Sequence, residues 1–198
     1  MAISQKEAEM ILEPYMPKIT KTIKQAVSEF KSDPRQLFYC NRTKACMVSD
    51  LINKYVQIEL SGIDGVRFSK KYGCNYVIIK DQLTIKFKKM DKNLQTSNIP
   101  TQQVERFVCQ RSLWTDNEMP PPVTNIFAGY TWDSLHNDCT GIFITCPQGK
   151  TNKWYLELGL GNVAEVLPFR SSDDAEPKPR RARARKADHN DKVKNGGK

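Results

Sequence analysis

The clearest pattern in the chain is the alternation of apolar and polar residues along 83–88, LTIKFK. Successive side chains of a strand point to opposite faces, so this segment predicts a strand with one apolar and one basic face. The β-branched run at 76–79 predicts a second strand, and the short polar link between them predicts an antiparallel hairpin. Residues 66–70 predict a third, weaker strand. The solvent-facing side of this meander would carry Arg67, Lys86 and Lys88.

Helical patterns precede the meander. Ser4 and Glu7 form a capping-box signature, which predicts a first helix ending near Glu13. Pro17 suits the first turn of a second helix, whose apolar positions 19, 23, 27 and 30 recur at helical spacing. This stripe is typical of a core face or of a contact for a protein partner. A third helix is expected from residue 42 or 43 to about Leu60. Its apolar side comprises Met47, Leu51, Ile52, Tyr55, Val56 and Leu60.

The second half of the chain predicts further strands. Thr101 can cap a helix that carries the apolar residues Val104, Phe107 and Val108, and residues 126–131 form a candidate strand. Residues 142–146 and 154–158 predict a second hairpin. The sequence therefore predicts an α+β fold, with an antiparallel sheet of about five to six strands and N-terminal helices packed on one face.

The charge is concentrated at the end of the chain. The 198 residues carry a net charge of +9, and residues 170–198 contain ten lysines and arginines against five acidic residues. This segment is too poor in apolar residues to repay the entropy of folding, so we expect one domain over 1–169 and a disordered basic tail over 170–198. Its basic run, 177–186, predicts contact with nucleic-acid phosphates, a solubilising role or an address signal. The arginines of the run are Arg180, Arg181, Arg183 and Arg185.

Other features bear on the setting. No apolar run is long enough for a transmembrane helix, and the first ten residues are polar. Six cysteines in a chain of this size are typical of reduced thiols, so a cytoplasmic protein without membrane contact is expected.

Few residues predict catalysis. The pairs Cys40–Cys46 and Cys139–Cys146 are spaced too widely for a zinc knuckle. His136 lies in a loop between aspartates, where a surface role is more common than a catalytic one. The carboxylates of a metal-dependent nuclease could be Asp64, Asp81 and Asp91, although turn-forming roles also explain them and no Glu-x-Lys pattern follows. We expect no catalytic residue, metal or cofactor, and keep a nuclease as an alternative.

Three stretches together resemble a family of uncharacterised proteins of bacteria and their phages: RTKACMVSDLINKY from Arg42, LTIKFKKMD from Leu83 and SNIPTQQVERFVCQ from Ser97. The resemblance extends to about Leu158. It implies a bacterial or phage cytosolic setting and brings no established activity. It directs attention to polar residues in the matching stretches, among them Asn98, Thr101 and Gln102.

These observations predict a non-enzymatic protein that binds nucleic acid or regulates a nucleic-acid-bound complex, possible settings including phage–host conflict. If the helix after Pro100 folds back beside the strand at 83–88, its start and the two lysines would form one basic site for phosphate. The alternative is a capped helix beside a sheet face that lysines keep soluble. A third hypothesis is an inhibitor or antitoxin-like module that contacts a protein partner through Ile19 and Ile23.

Overall fold

The computed structural model of the protein describes residues 2–99, 101–113, 123–133 and 138–159. The helices in these residues are α1 (Gln5–Leu12), α2 (Met16–Ser32), a 3-10 helix (Pro34–Phe38), α3 (Asn41–Leu60) and α4 (Gln102–Val108). The strands are β1 (Val66–Lys71), β2 (Cys74–Ile79), β3 (Leu83–Met90), β4 (Thr124–Trp132), β5 (Cys139–Gln148) and β6 (Thr151–Glu157). No helix in the described ranges is both long and apolar enough to cross a membrane.

The first two helices begin as their sequences predict. Ser4 Oγ accepts a hydrogen bond from the Glu7 N–H at 3.3 Å, and the Glu7 carboxylate accepts from the Ser4 N–H at 2.8 Å. In α2, Ile19 and Ile23 have no exposed surface because they belong to the main core. The predicted contact for a protein partner at these two residues is therefore wrong, since the intact fold covers both.

Helix α3 turns a slightly different side to the core than its sequence predicts. Val48, Ile52 and Val56 are buried, whereas Met47 is only partly buried. The predicted apolar side is thus confirmed at Ile52, Val56 and Leu60, whereas Met47, Leu51 and Tyr55 pack only at the edge of the core. Several neighbouring stripes of this helix are apolar, and periodicity alone does not separate them.

The six strands lie in one sheet in the order in which they occur in the chain. The α+β class, the six strands and both predicted hairpins are confirmed. The expectation of a wholly antiparallel sheet is wrong for one pair, because β3 and β4 run parallel from Leu83–Thr124 to Met90–Thr131. A parallel pair requires a crossover connection, and residues 91–123, which include α4, supply it.

The sheet has two differently covered faces. Helices α1–α3 cover one face, where alternate residues of β2–β6 join the main core. We call the opposite side the outer face. It carries a second apolar cluster, into which α4 inserts Phe107 and the following segment inserts Leu113. The prediction that this side faces solvent is thus wrong in part, because α4 and Leu113 cover some of it.

A buried polar network fastens the crossover to the sheet. The Gln110 amide donates to the carbonyl oxygens of Asn125 and Pro147, both at 2.8 Å, and its oxygen accepts from the Asn125 N–H at 2.9 Å. The Asn125 side chain in turn donates to the Phe107 and Arg111 carbonyl oxygens, each at 3.2 Å. The end of α4 is therefore held against the start of β4.

Candidate functional site

Two lysines of β3 project onto the outer face beside the second apolar cluster. Lys86 and Lys88 are both half-buried and are separated by one residue, so their Cα atoms are roughly 7 Å apart. Alternation along the strand places them opposite Ile85 and Phe87, which face the main core. The sequence correctly predicted that the two lysines share the face away from the helices.

An aromatic ring and a thiol surround the Lys86 ammonium. Its Nζ lies 5.5 Å from the centre of the Tyr76 ring and 3.1 Å from Cys74 Sγ, both on the neighbouring strand β2. A cation over a ring face at this distance is stabilised by the quadrupole of the ring. This contact holds the ammonium in place without cancelling its charge.

Helix α4 completes the same group of side chains. The Gln103 amide donates a hydrogen bond to the Tyr76 hydroxyl at 2.5 Å, and Phe107 packs against the Tyr76 ring. Burial raises the pKa of Tyr76 above its ordinary value, which keeps the hydroxyl protonated. We call Cys74, Tyr76, Lys86, Lys88 and Gln103 the β3 lysine cluster.

The surroundings of Lys88 disfavour its charged form. Burial lowers the pKa of its ammonium, and the nearby charge of Lys86 lowers this pKa further. Its backbone runs against Gly129 of β4, and a Cβ at Gly129 would collide with the Lys88 carbonyl oxygen. The backbones of β3 and β4 are therefore in close contact at Lys88.

No carboxylate in the described part of the chain neutralises this pair. Among the described residues, no acidic side chain lies within the 4.0 Å of an ion pair with Lys86 or Lys88. Two positive charges that are partly removed from water and close together attract an anion with two or more oxygens. The spacing and charge of these two lysines therefore suit an anion such as a phosphate.

Arg67, the third basic residue expected on this face, is occupied elsewhere. Its guanidinium donates to the Asp81 carboxylate, with Nε at 3.0 Å. The pair is half-exposed and lies at the end of the sheet where β2 turns into β3. Arg67 therefore belongs to a surface ion pair and does not extend the cluster.

The residues expected at the start of α4 have local roles. Thr101 Oγ1 accepts from the Val104 N–H at 3.3 Å, which confirms the predicted helix cap. The Asn98 amide donates to the carbonyl and hydroxyl oxygens of Thr96. Gln102 is exposed. The structure brings the helix onto the same face as the lysines, but Gln103, rather than these three, makes the described contact with the cluster.

The three nuclease carboxylates are not gathered at one place. Asp64 and Asp81 line the same surface cavity together with Lys80, whereas Asp91 follows the far end of β3. Asp81 and Asp91 lie beyond opposite ends of the eight-residue strand β3, which alone spans roughly 23 Å. The Asp91 carboxylate accepts from the backbone N–H groups of Asn93 and Gln95, both at 2.8 Å, as in a turn. In the described part of the chain, no three histidine, cysteine or acidic side chains are grouped to hold a metal ion. His136 lies outside the described residues.

Three members of the cluster, Cys74, Tyr76 and Gln103, were missed by sequence reasoning. Tyr76 was assigned to an evenly apolar central strand, although its parity relative to Val77 places it on the outer face. Gln103 lies one turn from Phe107 on α4, and this spacing was the available signal. The arginines of the 177–186 run, like the whole of 160–198, lie outside the described residues, so the predictions of the tail and its domain boundary stay predictions.

No protein-family model, curated protein or solved structure matches the chain. The resemblance to bacterial and phage proteins therefore stays an expectation from three short stretches.

Proposed function

We propose that the protein is a non-enzymatic nucleic-acid-binding protein that contacts phosphates through the β3 lysine cluster and the basic run at 177–186. The observation that carries this proposal is the pairing of Lys86 with Lys88, half-buried, adjacent and without a carboxylate partner among the described residues. A bound anion offsets the electrostatic repulsion between the two ammonium groups.

In the unbound protein, Lys88 is partly desolvated and is repelled by Lys86. Burial and mutual repulsion disfavour the charged form of Lys88, and nothing described within ion-pairing reach compensates for it. A surface lysine that serves only solubility is ordinarily free to move into water. A phosphate between the two ammonium groups would offset the repulsion and release condensed counterions from the nucleic acid.

The tail adds an electrostatic contribution without sequence selectivity. Residues 177–186 contain six lysines and arginines and no acidic residue. Such a segment increases the local concentration of the chain near a polyanion, and the folded domain then determines the geometry of binding. Regulation of a nucleic-acid-bound complex, in a bacterial or phage setting, is the role that this division of labour supports.

A cytoplasmic location is part of the same proposal. All six cysteines are free thiols, so the described fold depends on no disulfide bond. Cys146 is fully buried in the main core, where it packs as a small apolar side chain. A fold of this kind is compatible with the reducing environment in which nucleic acid is found.

Fluorescence anisotropy with labelled single-stranded DNA, double-stranded DNA and RNA tests the proposal. The proteins are the full chain, a chain ending at Phe169, the Lys86→Gln/Lys88→Gln variant and a Lys6→Gln/Lys150→Gln control. The control removes the same charge from two exposed lysines. We expect the cluster variant to weaken binding by about tenfold, the shortened chain to weaken it further, and the control to bind like the full chain. Absent binding to every probe would overturn the proposal.

A further inference from the structure

The contact between Cys74 and Lys86 places a nucleophilic sulfur beside a primary amine. Cys74 Sγ and Lys86 Nζ are 3.1 Å apart on neighbouring strands, and Cys74 is partly exposed. The Tyr76 ring holds the lysine side chain on the same side of the sheet as the sulfur. The two groups are therefore within bonding approach without a change in the backbone.

The described contacts of other cysteines are of a different kind. Cys40 Sγ lies beside the Thr43 hydroxyl, Cys139 Sγ beside the Gly141 carbonyl oxygen, and Cys146 Sγ beside the Gln110 amide. Hydroxyl, carbonyl and side-chain amide groups are weaker nucleophiles toward an oxidised sulfur than a primary amine is. Cys74 thus has a contact with chemical consequences that these three cysteines lack.

We propose that Cys74 and Lys86 form a redox-modification site, at which a hydroperoxide oxidises the thiol and the lysine nitrogen then captures the sulfur as a sulfenamide. In the first step the thiol sulfur takes one oxygen from hydrogen peroxide. The O–O bond breaks, the sulfur is oxidised by two electrons to a sulfenic acid, and the peroxide is reduced to water.

The second step is a condensation without further oxidation. The lysine nitrogen forms a bond to sulfur, the S–O bond breaks, and the hydroxyl group leaves as water. The ammonium gives up two protons, one to that water and one to solvent. Proximity favours this capture over reaction with a second peroxide, because the nitrogen is already beside the sulfur. Dithiothreitol reverses the bridge by supplying two thiols, which become its disulfide and restore Cys74 and Lys86.

The bridge is detected by peptide mapping of the full chain after treatment with hydrogen peroxide. Trypsin releases Cys74 in peptide 72–80, and a modified Lys86 prevents cleavage within 81–88. The expected product is these two peptides joined, with the loss of two hydrogen atoms, and it disappears after dithiothreitol. Wild-type protein and the Lys88→Arg variant should both contain it.

Two variants separate this proposal from nonspecific oxidation. Lys86→Arg keeps a cation over the Tyr76 ring but lacks the primary amine, and Cys74→Ser lacks the sulfur. Both are expected to lose the joined peptide. The exposed cysteines, Cys40, Cys46 and Cys109, report that the peroxide reached the protein in every sample. A joined peptide that persists in Lys86→Arg, or its absence from wild type while Cys46 is oxidised, overturns the proposal.

Discussion

The Lys86 ammonium lies 5.5 Å from the centre of the Tyr76 ring, so an aromatic face, rather than a carboxylate, is its described electrostatic partner. A carboxylate would cancel the positive charge, whereas a ring only orients it. Lys86 therefore remains available to an anion, and Lys88 beside it increases the attraction.

The charged ammonium of Lys88 is expected to lower the free energy of unfolding while it favours binding of an anion. Because burial and Lys86 lower the pKa of Lys88 in the folded protein, the unfolded chain binds more protons between that lowered pKa and the ordinary value of 10.5. The stability of the wild-type protein should accordingly rise with pH through this window. Lys88→Met should be more stable than wild type near neutral pH, and its advantage should shrink as the pH approaches 10.5.

Urea unfolding at neutral and alkaline pH measures this effect, with Lys6→Met as the control at an exposed position. The control should show little change in unfolding free energy at either pH. A Lys88→Met variant that is less stable than wild type at neutral pH would show that the surroundings of Lys88 stabilise its charged form. That result would contradict the electrostatic penalty inferred for this ammonium group.

The network around Gln110 should be costly to remove. Gln110→Ala leaves the buried Asn125 N–H without its described acceptor and two carbonyl oxygens without a donor. We expect a loss of about 3 kcal/mol in unfolding free energy. Gln110 has a φ of +56°, but alanine is strained there in the same way, so the difference reports the hydrogen bonds.

Chemical denaturation compares this variant with Gln57→Ala, the same substitution at an exposed position of α3. The control should change stability by no more than about 0.5 kcal/mol. Equal effects of the two substitutions would show that the network does not hold the crossover on the sheet.

Two threonines on the outer face form a matched pair. Thr145 is fully buried and its hydroxyl has no partner among the described residues, whereas the Thr131 hydroxyl lies 2.8 Å from the Thr140 hydroxyl. Thr145→Val should raise the free energy of unfolding by about 1 kcal/mol, because an unsatisfied polar group is removed. Thr131→Val should lower it by a similar amount. Thermal unfolding that ranks the two variants in the opposite order would contradict the described hydrogen bonding.

The exposed thiol of Cys40 should react with an alkylating reagent faster than the buried thiol of Cys146 does. Hydrogen bonds from the Thr43 side chain and backbone lower the pKa of Cys40, whereas burial raises the pKa of Cys146 to about 11. Since the thiolate is the nucleophile, iodoacetamide should alkylate Cys40 well before Cys146 in the folded protein. Thr43→Val should slow Cys40 and leave Cys146 unchanged, as followed by peptide mass spectrometry. An unchanged Cys40 rate would show that Thr43 does not stabilise its thiolate.

Local signals in the sequence account for much of the fold. The capping box at Ser4, the stripe containing Ile19 and the alternation along β3 each depend on neighbours in the chain, and each is confirmed. The direction of β4 depended on a crossover of more than thirty residues, whose path no local pattern specifies. For this reason the parallel pairing and the second apolar cluster could not be predicted.

In the candidate site, too, local patterns predict some of the residues, and contacts between distant parts of the chain determine the others. The parity of β3 was sufficient to place Lys86 and Lys88 on one face. The pairing of Arg67 with Asp81 depends on how β1 lies beside the turn between β2 and β3. The contact of Gln103 with Tyr76 depends on how α4 returns to the sheet. Both are contacts between residues distant in the chain, and the sequence alone placed no constraint on them.

The most direct test of the central claim is the salt dependence of nucleic-acid affinity for wild type and for Lys86→Met/Lys88→Met, with Lys6→Met/Lys150→Met as the control. If both cluster lysines contact phosphates, the plot of log affinity against log salt should be shallower by about 2 for the cluster variant, and the control should keep the wild-type slope. Equal slopes for all three proteins would contradict phosphate binding by Lys86 and Lys88.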